Sequence, residues 1–210
     1  MVSCMRIIAG KYRGRNLKSP PSLEVRPTSD RLRETLFNVI APRIEEARFL
    51  DLCAGSGAVG IEALSRGARH ATFVDRSRKM CNLIKSNLEL CGVDKISHDV
   101  VFSEAIPYLR RAIQQLALPE DARFSRREAW DIVFFDPPYA DDYTRILDTI
   151  GAGANKLLME DGLLIVEHHH KNDLPKAVGE LTRSRVLKQG DSALSFYEFS
   201  ARTRVSTFDL

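Results

Sequence analysis

The sequence has little cysteine and little tryptophan: four of the first and one of the second in 210 residues. Cys4, Cys53, Cys81 and Cys91 form no C-x-x-C pair and have no histidine at zinc-finger spacing, which argues against a disulfide scaffold or a structural zinc site. No apolar run approaches the roughly 20 residues of a membrane-spanning helix. The opening stretch MVSCMRIIAGKYRGRNL lacks the apolar core and small-residue cleavage site of a secretory leader. A reduced, cytoplasmic setting without a membrane is therefore expected. Internal repeats and low-complexity tracts are also missing. Acidic residues are absent between Arg6 and Lys18, a stretch that carries Arg6, Lys11, Arg13, Arg15 and Lys18 around Tyr12. The net charge of +3 is mild, so this local patch says more about a partner than the total does.

What is present is a rhythm. MRIIAGKYRGRNLKSP reads as two short strands around a glycine turn. RPTSDRLRETLFNVIAPRI reads as a helix with Thr28, Ser29 or Asp30 as cap, with Leu32, Leu36, Phe37 and Ile40 at helical spacing, and with Pro42 at its end. From Arg48 onward short apolar strands alternate with helices: ARFLDLC, HATFVD, SHDVVFS, DIVFFD and GLLIVEHH, with a helix from about Tyr143 to Leu158 before the last. That alternation predicts βαβ units and a parallel sheet covered on both faces. The tail SRVLKQGDSALSFYEFS has two strands and no helix between them, which predicts an antiparallel hairpin at the sheet edge. LPEDARFSRREAW reads as a surface loop. The expected architecture is α/β, Rossmann-like and seven-stranded. Residues 1–22 form a basic hairpin ahead of a domain spanning 23–210.

Two motifs carry chemistry. Gly55, Gly57 and Gly60 stand in a G-x-G-x-x-G pattern between a strand and a helix, where glycine permits a tight turn and close approach of a ligand. Asp75, at the end of the next strand, suits the hydroxyls of a ribose. A nicotinamide enzyme would share that much. Asp51, just before the glycines, would repel a pyrophosphate but suits a cationic ligand such as S-adenosylmethionine; it could equally cap the following turn. The second motif is DIVFFDPPY. An apolar strand ends in Asp136, two prolines and Tyr139, at the sheet end where ligands of open parallel sheets bind. An exocyclic base amine is a poor nucleophile because its lone pair is delocalised into the ring. Asp136 and the Pro137 carbonyl can accept its hydrogens, the prolines stiffen the turn, and Tyr139 can stack on the base.

DPPY after an apolar strand, with DLCAGSGAVGIEALSRGA upstream, resembles the amino-group methyltransferases that use S-adenosylmethionine. RIIAGKYRGRNL followed by RPTSDRLRETLFNVI is similar to the RsmD family, bacterial enzymes that methylate the 2-amino group of a guanine in 16S ribosomal RNA. The resemblance runs from Arg6 to about Glu167. It implies that Asp51, Gly55, Gly57 and Gly60 line the methionine end of the cofactor and that Asp75 holds its ribose. Where the family has an aspartate near the adenine, this chain offers Glu104. Asp136, Pro137 and Tyr139 would form the catalytic turn, and Thr28 and Arg33 would help close the site. The class I methyltransferase fold and a small-subunit RNA substrate follow from the same resemblance; a monomer is expected.

Several other features bear on the reading. The basic stretch suits RNA phosphates. Three adjacent histidines in EHHHK, His168 to His170, would alternate between strand faces, so no metal is expected. Glu167 and His168 end a strand near the rim. Cys53 and Cys81 read as packing residues. The rival functions are a DNA adenine or cytosine amino-methyltransferase, against which the lack of room for a target-recognition segment speaks, and a non-catalytic RNA-binding assembly factor.

Overall fold

The structure is a computed structural model and describes residues 5–20, 30–118, 129–137 and 143–200. Thr28, Tyr139 and most of the predicted 118–130 loop lie outside these residues. One eight-stranded sheet has the order β3-β2-β1-β4-β5-β8-β7-β6. The strands are β1 (Arg48–Leu52), β2 (His70–Asp75), β3 (His98–Phe102), β4 (Trp130–Phe135), β5 (Leu158–His169), β6 (Ala177–Val178), β7 (Leu181–Gln189) and β8 (Ser192–Phe199). β3 to β5 in that spatial order are parallel, and β8, β7 and β6 are each antiparallel to the strand before. The predicted hairpin is β7–β8. The eighth strand corrects the expected seven: β6 has only two residues, too short to leave a periodic signal.

The helices are α1 (Asp30–Ile44), α2 (Ala58–Ser65), α3 (Arg78–Cys91), α4 (Ala105–Ala117), α5 (Tyr143–Ala152) and α6 (Ala154–Leu157). Two boundaries differ from expectation. α1 runs two residues past Pro42. The predicted helix from Tyr143 to Leu158 is two helices, broken at Gly153. There a Cβ would strike the Ile113 side chain at 2.3 Å, so close helix packing requires glycine.

β1 and β4 are buried almost throughout, which is why their centres, FL and IVFF, are apolar on both faces. Each sheet face carries its own core. α1, α2 and α3 pack on one through Leu36, Phe37, Ile40, Ile61 and Ile84, and α4, α5 and α6 on the other through Leu109, Ala112, Leu147 and Leu157. α3 shows how sequence sets such an element. Ser77 Oγ accepts from Met80 N at its start, Cys81, Ile84, Leu88 and Cys91 face inward at helical spacing, and Gly92 closes it at φ +63°.

The N-terminal segment is less regular than two strands. A single antiparallel bridge joins Arg6 to Asn16. Its apolar side chains, Met5, Ile7, Tyr12 and Leu17, belong to the first core. Among the described residues, no helix is long and apolar enough to cross a membrane.

Candidate active site

The strand order places β1 between β2 and β4, and the chain direction reverses its progress across the sheet there. Such a switch point opens a crevice at the carboxyl ends of the strands. Three aspartates frame it. Asp51 is the penultimate residue of β1, Asp75 ends β2, and Asp136 follows β4. Phe135 pairs with Leu52 in register, and Asp136 N donates to Leu52 O at 3.3 Å. The catalytic turn predicted from DPPY thus leaves the sheet directly beside the glycine turn. Asp136 is half-buried and Pro137 buried.

Between β1 and α2 the backbone turns left-handed at Cys53 (φ +64°), Gly55 (φ +54°) and Gly57 (φ +78°). Hydrogen bonds hold this path. Ala54 N donates to Val74 O at 3.0 Å and Gly57 N to Ala54 O at 2.7 Å. The Asp75 carboxylate accepts from Gly55 N at 2.9 Å and from Ser77 N at 2.8 Å. The Asp51 carboxylate accepts from Gly60 N at 3.0 Å, which makes it a cap for α2, the alternative that the sequence left open.

The glycines are not equivalent. A Cβ on Gly55 would meet nothing within 4 Å, whereas one on Gly60 would strike the Phe73 ring at 2.3 Å. Gly55 faces open space where a ligand could approach; Gly60 lets α2 lie against β2. Cys53 is a strained position that sequence reasoning missed. Left-handed backbone is uncommon for a residue with a side chain and gathers at functional sites. A cysteine between a strand and a glycine turn gives no pattern signal for it.

Burial shapes the electrostatics. The Asp51 carboxyl is pushed up to about 7, chiefly by burial and further by the charge on Asp75, against the opposing pull of the Gly60 N–H. Burial also raises Asp75, though the Ser77 and Gly55 N–H groups and Arg76 pull the other way.

The remaining predicted residues lie around these strands, with Glu104 just past the carboxyl end of β3, beside β2. Glu104 is the exposed N-cap residue of α4, and its side chain makes no capping bond. Next to it, Phe102 is half-exposed with the Arg78 guanidinium 4.5 Å from its ring centre. Ser103 N donates to Asp75 O at 3.1 Å, joining the β3 end to the same rim.

Arg33 is fully buried. It donates to Arg6 O and, at 3.0 Å, to Asp30 Oδ1, and its Nε lies 3.8 Å from Glu62. Glu62, also fully buried, accepts from Ile8 N at 2.8 Å, Ala9 N at 3.0 Å and Arg66 Nε at 2.7 Å. This polar knot ties the N-terminal segment to α2. A second tie reaches the glycine turn itself. Asn87 Nδ2 donates to Ser56 O at 2.9 Å and to Lys18 O at 3.1 Å, while Lys18 N donates to Asn87 Oδ1 at 2.8 Å.

The basic residues Arg6, Lys11, Arg13, Arg15 and Lys18 are all exposed. Arg15 donates to Leu90 O at 2.9 Å and Lys18 Nζ to Ser86 Oγ at 2.7 Å, so both also fasten the segment to α3. Tyr12, in the middle of the basic stretch, is buried beneath Lys11 Nζ at 5.5 Å and Arg15 Cζ at 5.9 Å. The turn at Gly10 to Tyr12 sits on the C-terminus of α2: Lys11 N donates to Ser65 O at 2.7 Å and Tyr12 N to Ser65 Oγ at 2.9 Å. There it borders an open groove of about 550 Å³ lined by Arg48, Arg69, His70 and Asp94 among others.

Comparison with known proteins gives the family and the fold. The family model described as conserved hypothetical protein 95 matches residues 5–198. Ribosomal RNA small subunit methyltransferase D of Escherichia coli K12 is 35% identical over 202 residues, covering 94% of this chain and 91% of that one. The solved structure of Escherichia coli yhhF superposes with a TM-score of 0.75 at 33% identity, covering 94% of this chain and 98% of the other. SMU.776, a structure complexed with SAH, shares the fold at a TM-score of 0.64 and 15% identity, over 83% of this chain and 50% of its own. The architecture is that of a class I methyltransferase.

Proposed function

The chain belongs to the conserved hypothetical protein 95 family, the RsmD family, and from that premise we propose that it transfers a methyl group from S-adenosylmethionine to the 2-amino group of a guanine in 16S ribosomal RNA. The observation that carries this reading is the adjacency of Asp136 to the β1 glycine turn, fixed by the Phe135–Leu52 register. The named activity of the 35%-identical Escherichia coli relative supports the RNA substrate.

The residues fit the cofactor. Asp51 and Asp75 place carboxylates at the carboxyl ends of β1 and β2, where a cationic, hydroxyl-bearing ligand is favoured, and Gly55 leaves open space beside them. Asp51, Gly55, Gly57 and Gly60 would form the methionine side and Asp75 would take the ribose; Glu104 would stand near the adenine, and Thr28 and Arg33 would help close the site. When bound, the cofactor supplies an electrophilic methyl on a sulfonium centre. The protein's own part is to orient the attacking amine. The Asp136 carboxylate and the Pro137 carbonyl accept the two N–H hydrogens, which turns the nitrogen lone pair toward the methyl, and Tyr139 stacks on the base. Positive charge develops on the amine as the N–C bond forms and the C–S bond breaks. The Asp136 carboxylate stabilises that charge, and the surplus proton leaves afterwards. Positioning supplies most of the acceleration, and no metal takes part.

The test uses labelled S-adenosylmethionine, small-subunit particles from cells lacking the protein, and mapping of the modified nucleotide. Wild type should label one guanine at its 2-amino group. Asp136→Ala should abolish labelling while cofactor affinity stays within a few fold. A fully active variant would end the acceptor role, and label on another base or on the large subunit would end the substrate assignment.

A further inference from the structure

The three-histidine run finds a use that strand alternation had argued against. Alternation holds as far as β5 does. His168 is buried on the core side with its Nε2 2.9 Å from Ser195 Oγ. β5 ends at His169, and His170 lies beyond it in the turn, so the next two rings do not diverge. They stack, with centres 4.7 Å apart and planes at 26°. Asp191, in the β7–β8 turn, closes on the same point because β5 and β8 are paired to the last residue, His169 with Ser192, and His170 N donates to Asp191 O at 2.8 Å. One ligand atom from each of His169, His170 and Asp191 lies within 4.8 Å of the others. His170 Nδ1 is enclosed and has no hydrogen-bond partner among the described residues.

We propose that His169, His170 and Asp191 bind one divalent ion of the zinc class. Two imidazoles and a carboxylate are the borderline donors that zinc takes, and three protein ligands leave a position for water. Bonds of about 2.0–2.2 Å require the donors to draw together. Asp191 is exposed, which gives its side chain room to swing inward. His169 Nδ1 accepts from Lys171 N at 3.1 Å; ligation exchanges that contact for the ion, and Lys171 is exposed so that water takes the N–H. The ion would tie the end of β5 to the β7–β8 turn. Val166 pairs with Phe135, which puts this tie three residues past the level of the β4 terminus, on the strand beside the catalytic turn.

The experiment needs tag-free protein stripped with a chelator, titrated with Zn²⁺ by calorimetry and with Co²⁺ by visible absorption. One saturable ion per chain is expected, with a zinc-dependent rise in melting temperature. His170→Ala and the exposed, near-isosteric Asp191→Asn should each weaken binding by about tenfold or more and remove the thermal shift, with unchanged circular dichroism. Absence of saturable binding, or equal affinity in Asp191→Asn, would overturn the site. Methyl transfer does not enter the readout, so failure here leaves the proposed activity untouched, and failure of that activity leaves this site standing.

Discussion

At the scale of single residues, Asp51 does two things that pull against each other. Its carboxylate caps α2 through Gly60 N, yet burial holds its pKa up near 7. A carboxyl raised in the folded state above its ordinary value near 3.9 stabilises the fold fully below that value and loses the contribution as pH rises through about 7. Asp51→Asn keeps an acceptor for Gly60 N and removes the charge. Relative to wild type, the variant should therefore gain stability from pH 4 to pH 8, by on the order of 3–4 kcal/mol at most, measured by denaturant unfolding at each pH. A constant difference would mean that Asp51 is ionised throughout. The same group bears on the proposed cofactor. A cationic ligand favours the ionised carboxylate, so affinity for S-adenosylmethionine should rise by up to about tenfold per pH unit below pH 7 and level off above it. In Asp51→Asn that slope should vanish. A pH-independent wild-type affinity, read by calorimetry, would remove Asp51 from the methionine side of the pocket.

Between elements, the controlling feature is the knot of Arg33 and Glu62. Neither helix α1 nor α2 meets the N-terminal segment through apolar contact alone: Glu62 takes two of its backbone N–H groups, and Arg33 takes the Arg6 carbonyl. Removing one partner of a buried pair leaves the other uncompensated and costs about 3–5 kcal/mol. Glu62→Ala should lower stability by that order and raise amide exchange first at Ile8 and Ala9. Exchange that rises evenly over the whole chain would refute a local tie. This knot also shows where sequence reasoning stops. The βαβ rhythm, the glycine turn and the strand ending in Asp136 were legible because burial on both sheet faces writes apolar runs and because turns require glycine or proline. RPTSDRLRE resembled a cofactor-side motif, and nothing in its spacing says that Arg33 is buried beside Glu62, some thirty residues away in the chain. Long-range polar pairing has no period. Nor does a two-residue strand such as β6, a strained Cys53, or the loss of alternation at the end of β5 that brings His169 and His170 together.

Across the whole molecule, the basic turn and the candidate catalytic turn stand at opposite ends of the sheet. Lys11 and Tyr12 rest on Ser65, the last residue of α2, and α2 begins at the glycine turn; eight helical residues span about 12 Å. Arg48, which lines the groove beside Lys11, opens β1, and five strand residues span about 16 Å. An RNA that presents a base to Asp136 and also touches this turn must run along the flank formed by α2 and α3, over the segment that carries Arg6, Arg15 and Lys18. The charges divide by task along that path. Arg15 and Lys18 are engaged with α3, so reversing them would disturb the fold as well as the surface. Lys11 and Arg13 are exposed at the tip and give the cleaner test. The double reversal Lys11→Glu, Arg13→Glu should leave cofactor affinity and the melting temperature unchanged and raise KM for RNA. It should make the salt dependence of RNA affinity shallower by about 1.4–1.8 in log–log slope, the value for two lost phosphate contacts. Reversal of Arg185 and Lys188 on β7, at the far side of the sheet, should leave that slope where it was. If the tip variant keeps the wild-type slope, RNA approaches the catalytic rim without crossing the α2–α3 flank, and the basic turn is a solvated surface.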